Sequence, residues 1–223
     1  MPRWQLIVYA IGLPLGLALL LFGPAGTWRW ARGWAFLAVI VLGFALSALV
    51  LARVNPVIFH ARSRFQPGTE SWDLALLSLM LPTTVVIVPL GAFAATHWER
   101  PMPLGVLALG HVLIAAGIAA TAWAQAVNAF FEPGVRLQME RDQQVVDIGP
   151  YAYLRHPGYV AAIGLFFGMA LALGSRWALL PAAVASTLLV VRTKWEDDLL
   201  RRRLPGYADY AARVRYRLLP GLW

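Results

Sequence analysis

Four long runs without a charged side chain dominate the first part of this sequence, at residues 4–22, 34–52, 74–95 and 104–126. Each run has roughly 20 residues, the length that a helix needs to cross a hydrocarbon layer of about 30 Å. The third run contains a β-favouring stretch at 83–88, but its length predicts a helix, since lipid accepts only helices or closed barrels. The four runs therefore predict four transmembrane helices.

The composition excludes a water-soluble globule. Hydrophobic residues make up 60% of the chain and charged residues only 13%, whereas a soluble domain has about 25% charged residues. The absence of cysteine excludes disulfides, thiolate metal sites and thiol nucleophiles. The net charge of +8 is better explained by basic loops on the cytoplasmic side of a membrane than by nucleic-acid binding.

Two shorter apolar runs, 159–173 and 177–191, flank the turn-like sequence Gly174-Ser175-Arg176 and predict a helical hairpin. Whether this hairpin crosses the whole bilayer stays open. We expect an all-α integral membrane protein with about six transmembrane helices. The first run is long for a secretory signal, and no A-x-A site follows it, so we expect it to be retained. Residues 1–126 then hold four helices, and residues 127–223 hold the hairpin and most polar residues.

The basic residues predict the orientation. With six spans, fifteen of the 19 basic residues fall on one side of the membrane and four on the other, so we expect both termini to be cytoplasmic. The tail has apolar residues at helical spacing between Leu199 and Val214. It predicts an amphipathic cytoplasmic helix, broken at Pro205-Gly206, that lies on the membrane face or caps the bundle.

Two polar segments on that side are candidates for chemistry. In the first, Pro157 suits the first position of a helix and keeps His156 extended, so Arg155 and His156 lie beside a helix N-terminus that suits an anion. The alternative is a membrane-entry loop with interfacial side chains. In the second, Arg192 and Glu196 share one helix face, and the alternative is a surface ion pair.

The order of these elements resembles the integral membrane methyltransferases of the isoprenylcysteine carboxyl methyltransferase and phospholipid methyltransferase superfamily. The resemblance covers about residues 128–220. Its motifs are Gln138-x-Glu140, Gly149-x-Tyr151, Arg155-His156-Pro157-x-Tyr159, Arg192 with Glu196-Asp197 after the hairpin, Leu204-Pro205-Gly206-Tyr207-x-x-Tyr210, and Leu219-Pro220.

The resemblance implies methyl transfer from S-adenosylmethionine to an apolar or lipid-like acceptor, with residues 127–223 as the catalytic half at the cytoplasmic face. It implies that Arg192 binds the acceptor's acidic group and that Arg192, Glu196 and His156 form the catalytic centre. The implied cofactor contacts are Gln138, Gln143, Gln144, Val145, Val146, Tyr151, His156, Pro157, Gly158, Tyr159 and Glu196. The chain departs from the family at Gln143, where His is frequent, and at Asp197, where Glu is frequent.

The partners expected are membrane lipids and a lipophilic or lipidated methyl acceptor, with no nucleic acid and no metal. The acceptor stays open among a lipid carboxylate, a phospholipid amine and a small thiol. The main alternative function is a non-enzymatic transporter or scaffold; a degenerate relative kept as a sensor is another. A transporter needs ionisable groups near the bilayer midplane, and His111 is the candidate in these runs.

Overall fold

The computed structural model of the protein describes residues 11–223, and every regular element in that range is helical. The α-helices, in chain order, are α1 (Leu13–Ala25), α2 (Ala31–Val54), α3 (Val57–Ala61), α4 (Ser71–His97), α5 (Leu104–Val127), α6 (Pro157–Leu173), α7 (Leu179–Arg203) and α8 (Tyr207–Arg213). Two 3₁₀ turns, Met139–Arg141 and Gly149–Ala152, lie in the loop between α5 and α6. The all-α prediction is confirmed over this range.

Three helices, α2, α4 and α5, are long and apolar enough to cross a membrane, while α1 and α6 are apolar but shorter. The six-span prediction is therefore confirmed only in part. The part of the first predicted run at 4–10 lies outside the described residues. The β-favouring stretch at 83–88 is helical, as predicted, because α4 continues through Pro82 and Pro89.

The predicted hairpin is present, with different bounds. α6 has 17 residues, or about 25 Å of helix, and ends at Gly174, whose φ of 75° is left-handed. α7 starts at Leu179 and continues past the apolar run to Arg203. The predicted break at Pro205-Gly206 separates α7 from α8, and Gly206 has a φ of 79°.

Glycines bring the backbones of α5 and α6 into direct contact. A Cβ on Gly110 would overlap the backbone nitrogen of Ala172 and lie 2.7 Å from its Cα, and a Cβ on Gly117 would lie 2.8 Å from the carbonyl oxygen of Ala161. Small residues allow such close approach of membrane helices. This contact fixes α6, and with it Pro157 and the polar segment before it, against the last turns of α5.

The core lies among α1, α2, α4, α5, α6 and α7, and its fully buried side chains include Leu21, Phe36, Ile87, Ile114 and Leu173. Large apolar side chains such as Leu42, Leu79 and Val112 are more than half exposed. An apolar exterior around an apolar core is the arrangement expected of a bundle surrounded by lipid.

The two ends of the bundle differ in character. At one end, Glu99 accepts hydrogen bonds from the Ser175 hydroxyl at 2.6 Å and the Arg176 amide at 2.8 Å. At the other end, the start of α4, the α5–α6 loop, the end of α7 and the tail are joined by buried ion pairs. Most of the basic residues belong to this second end, as the orientation prediction requires. Its assignment to the cytoplasm stays a prediction.

We predict that Gly110→Ala lowers the stability of the bundle in detergent by about 1–3 kcal/mol, because its Cβ meets backbone atoms of α6 that cannot move without separating the helices. Gly105→Ala is the matched control in the same helix, since nothing lies within 4 Å of its Cβ. Thermal unfolding of the purified variants measures the difference. Equal midpoints for the two variants would show that the close α5–α6 contact is not present.

Candidate functional site

A cavity that is partly open to solvent lies at the polar end of the bundle. Its walls come from the α5–α6 loop, the first turn of α6, the polar end of α7 and α8. The predicted site residues that line it are Gln138, Gln143, Gln144, Val145, Val146, Tyr151, His156, Gly158, Tyr159, Arg192 and Glu196. Pro157 is buried and does not line the cavity. The structure thus brings together eleven of the twelve predicted residues, and their roles stay predictions.

The position of His156 follows from Pro157. Pro157 is the first residue of α6, and His156 precedes it in a non-helical conformation with φ −127° and ψ 60°. The His156 ring stacks on Tyr159, with ring centroids 5.5 Å apart. Its Nε2 is buried, lies 3.5 Å from Asp197 Oδ1, and has no hydrogen-bond partner within residues 11–223. The His156 ring lines the cavity, while this nitrogen faces the Asp197 carboxylate.

Asp197 is the centre of the polar cluster behind the cavity. Its buried carboxylate accepts hydrogen bonds from Arg155 Nε at 2.7 Å, Arg217 Nε at 2.9 Å, Arg201 Nε at 3.0 Å and the Tyr207 hydroxyl at 3.0 Å. Burial by itself raises the pKa of this carboxyl, but the neighbouring His156 and Arg155 outweigh burial and hold the pKa well below its usual value. Asp197 is therefore a permanent anion that joins α6, α7 and the tail.

Arg155 belongs to this cluster. Its Nη1 donates to the carbonyl oxygens of Val214 at 2.7 Å and Arg215 at 2.8 Å, and its backbone N–H donates to Tyr216 at 3.0 Å. The expectation that Arg155 lies beside a helix N-terminus is met. The Arg155 guanidinium, however, is bonded to Asp197 and to tail carbonyls. Of the two residues that the sequence predicted to bind an anion, His156 is therefore the one left to do so.

Arg192 pairs with Asp73, a residue that the sequence did not single out. The Arg192 Nε donates to Asp73 Oδ1 at 2.6 Å, and Nη2 donates to Oδ2 at 2.9 Å and to the Pro133 carbonyl at 2.8 Å. Both side chains are buried, and the guanidinium lies over the Tyr159 ring at 5.3 Å. The surface ion pair considered between Arg192 and Glu196 is absent from the described part of the chain.

Glu196 differs from the other carboxylate at the cavity. Glu132 is neutralised by Arg136, whose Nε lies 2.7 Å from Oε2. Glu196 accepts a hydrogen bond from the Tyr159 hydroxyl, and no Lys or Arg nitrogen of residues 11–223 lies within 4.0 Å of it. Glu196 therefore contributes an uncompensated negative charge to the cavity wall.

Gln138 lines the cavity, but its side chain forms hydrogen bonds within the loop. Its side-chain Nε2 donates to the Phe130 carbonyl at 2.8 Å, and its Oε1 accepts from Arg141 Nη1 at 2.6 Å. Its backbone N–H donates to Gln143 Oε1 at 2.7 Å. The side chains of Gln138 and Gln143 therefore hold the loop in shape, and each has less capacity left for a ligand than the motif implies.

Some site residues received no role from the sequence. Tyr210 donates to the Tyr151 carbonyl at 2.8 Å, and Asn128 donates to the Tyr151 hydroxyl at 3.0 Å, so the position of Tyr151 is fixed from two sides. Phe131 contacts Gly158 so closely that a Cβ there would lie 2.7 Å from its ring. Tyr210 was visible in the Tyr207-x-x-Tyr210 motif; Asn128 and Phe131 carried no sequence signal beyond their place in a polar loop.

The described residues contain no group of three or more His, Asp and Glu side chains arranged to hold a metal ion.

Comparison with known proteins gives one match. The model of the family described as phospholipid methyltransferase matches residues 106–205, from the start of α5 to just beyond α7. The match includes every predicted site residue and excludes Asp73, Tyr207, Tyr210 and the tail. No curated protein sequence matches the chain.

We predict that Asp197→Asn lowers the stability of the protein by about 3–5 kcal/mol at neutral pH, because it removes the charge on which buried arginines converge. Asp198→Asn is the control, since the Asp198 side chain has no ion pair in the described residues. The folded-state pKa of Asp197 lies below the unfolded value of about 3.9, so its contribution is complete above about pH 4 and decreases as the pH falls.

Thermal unfolding of both variants in detergent between neutral and acidic pH tests this. The difference between Asp197→Asn and the wild type should shrink on acidification, and a difference that grows there would contradict the assignment.

Proposed function

We propose that this chain, whose residues 106–205 belong to the phospholipid methyltransferase family, transfers a methyl group from S-adenosylmethionine to a lipid-like acceptor at the membrane surface. The family match and the apolar helices together support a membrane methyltransferase. The methyl donor and the acceptor are the proposed parts. The observation that supports this donor is Glu196, a carboxylate without an ion-pair partner among residues 11–223, on a cavity that the His156 ring also lines.

The residues at the cavity fit S-adenosylmethionine. Val145, Val146 and Tyr151 offer apolar and aromatic surface to an adenine ring, and Glu196 offers an anion to the cofactor's ammonium or ribose hydroxyls. His156 and the amides that begin α6 offer donors to its carboxylate. The adenine ring, the ammonium or ribose, and the carboxylate of the cofactor thus each have complementary groups at the cavity.

When bound, the cofactor supplies an electrophilic methyl group on a sulfonium whose positive charge disappears as the methyl leaves. A carboxylate pressed against the sulfonium would stabilise the ground state more than the transition state. We therefore assign Glu196 to the ammonium or the ribose. The chain's main contribution is alignment of the two reactants, for which well-oriented systems gain about 7–11 kcal/mol.

Arg192 is the residue proposed for the acceptor. Its Nε and Nη2 are used by Asp73 and Pro133, so Nη1 is the guanidinium nitrogen left for an acceptor oxygen. The family description favours a phospholipid or a similar lipid as the acceptor. A carboxylate acceptor needs no general base, whereas an amine or a thiol needs one, and His156 is the base at hand.

The proposed site of action is the cytoplasmic face of the membrane, because most basic residues belong to the end of the bundle that holds the cavity. The soluble cofactor enters from the cytosol and the acceptor from the bilayer. The transporter alternative has less support: His111 Nδ1 donates to the Leu107 carbonyl of its own helix at 2.8 Å, as a packing residue does.

We predict that the purified wild-type protein binds S-adenosylhomocysteine, measured by calorimetry in detergent, and that Glu196→Gln weakens binding by about 10- to 100-fold. Loss of a hydrogen bond to a charged group of about 1.5–3 kcal/mol gives this range. Gln keeps the shape of Glu196 and can still accept from Tyr159, so the fold is retained.

Glu99→Gln is the matched control for this experiment, since Glu99 is a carboxylate at the opposite end of the bundle. It should leave the affinity for S-adenosylhomocysteine unchanged. Absence of heat with the wild type, or an equal loss in the two variants, would contradict the proposal.

A further inference from the structure

Asp73 lies in the first turn of α4, outside the matched family region, and is fully buried. It is 119 residues away from Arg192 in sequence and binds it through two hydrogen bonds of 2.6 and 2.9 Å. Its Oδ2 also accepts the backbone N–H of Val135 at 2.7 Å. One carboxylate of the N-terminal half thus holds two parts of the cavity wall, since Arg192 and Val135 both line the cavity.

The residues around Asp73 pack against the part of the α5–α6 loop at 133–135. The Glu70 N–H donates to the Val135 carbonyl at 2.9 Å. A Cβ on Gly134 would lie 2.6 Å from Thr69 Cγ2, so only glycine allows this approach without displacement. The segment at 69–73 and the loop at 133–135 therefore form one interface, and the Arg192–Asp73 pair lies within it.

Asp73 also fixes how Arg192 can act. Burying a guanidinium without an anion destabilises the fold. A carboxylate that accepts two of its hydrogen bonds compensates the charge and fixes the plane of the guanidinium. With Nε and Nη2 engaged, Arg192 keeps Nη1 as its nitrogen without a hydrogen bond to residues 11–223. The guanidinium stays against the Tyr159 ring at 5.3 Å. Rotation of the fork away from Tyr159 would require breaking both bonds to Asp73.

We infer that Asp73 is a positioning residue for the methyl acceptor: it orients Arg192 so that Nη1 receives an acceptor oxygen, a carboxylate or phosphate oxygen of an amphiphile. This inference rests on the proposed function. It assigns to the N-terminal helices a part in acceptor binding that acts through Arg192, whereas the proposed cofactor contacts all belong to the later half of the chain. Loss of Asp73 should therefore affect the acceptor and spare the cofactor.

The test compares Asp73→Ala and Asp73→Asn with the wild type in bicelles that contain a membrane lipid extract. Transfer of label from S-[methyl-³H]adenosylmethionine is measured against extract concentration, S-adenosylhomocysteine affinity is measured by calorimetry, and stability is measured by thermal unfolding. Asp73→Asn keeps an oxygen toward Arg192 and serves where Asp73→Ala folds poorly. Glu99→Gln is the control for a buried carboxylate that only joins helices.

For Asp73→Ala we expect the half-saturating extract concentration to rise by about tenfold or more while the maximal rate and the S-adenosylhomocysteine affinity change by less than about threefold, the pattern of lost acceptor binding. Asp73→Asn should show a smaller rise of the same kind. Because the two residues act as one unit, Asp73→Ala should add less than about threefold to the effect of Arg192→Gln. Glu99→Gln should change only the unfolding midpoint.

A parallel loss of cofactor affinity and stability, with no change in the half-saturating concentration, would make Asp73 a structural staple and overturn the inference. Additive effects of Asp73→Ala and Arg192→Gln would overturn it as well. A wild-type protein that binds no S-adenosylhomocysteine and transfers no label would overturn the proposed function, and the role of Asp73 with it. The wild-type measurements therefore distinguish the two failures.

Discussion

The ion pair between Arg155 and Asp197 is the contact on which the polar end of the molecule depends. It joins residues 42 positions apart, at 2.7 Å, with both side chains buried. Two further arginines, Arg201 and Arg217, share the same carboxylate. A buried charge is tolerated only when its partners are held in place. The pair therefore requires that the residues before α6, the end of α7 and the tail fold together, and the cavity lies between them.

The membrane part of the bundle places these segments. The glycines at the interface allow the backbones of α5 and α6 to pack in direct contact. His156 lies directly before α6. Because α6 and α7 form a hairpin, the polar end of α7 lies beside His156. A close-packed apolar scaffold thus determines which polar groups meet, while ion pairs determine their orientation.

Charge compensation distinguishes Glu196 from the other charged side chains at the cavity. Arg192 is paired with Asp73, Arg155 with Asp197 and Arg136 with Glu132, so these cations are satisfied within the protein. Glu196 keeps its charge free apart from a phenol hydrogen bond. Such an anion suits the ammonium or the ribose hydroxyls of the proposed cofactor, and the His156 ring lines the same cavity.

The sequence allowed prediction of the helices and of which residues would surround the cavity. Lipid imposes helix on long apolar runs, and for this reason 83–88 is helical in spite of its β-favouring side chains. The sequence left open whether the hairpin extends into its polar flanks, and it placed a tail helix from Leu199 to Val214. α7 joins these two parts in one helix up to Arg203, because the end of an apolar run marks the end of lipid contact and not the end of a helix. Asp73 was missed because its partner is distant in sequence and leaves no local pattern.

Gln138 shows a different limit of prediction from sequence. Its motif placed it correctly at the cavity, but hydrogen bonds to Phe130 and Arg141 show that its side chain also closes the loop. A motif gives the position of a residue. It does not show how many of the residue's donors and acceptors are free to bind a ligand, because that depends on contacts that form only when the chain folds.

The most direct test of the central claim is an experimental structure of the protein with S-adenosylhomocysteine bound. The account predicts that the ligand lies in the cavity between the α5–α6 loop and the end of α7, with a Glu196 oxygen and a His156 nitrogen both within hydrogen-bond distance of it. A ligand bound elsewhere, or protein side chains filling the space between Glu196 and His156, would contradict the account.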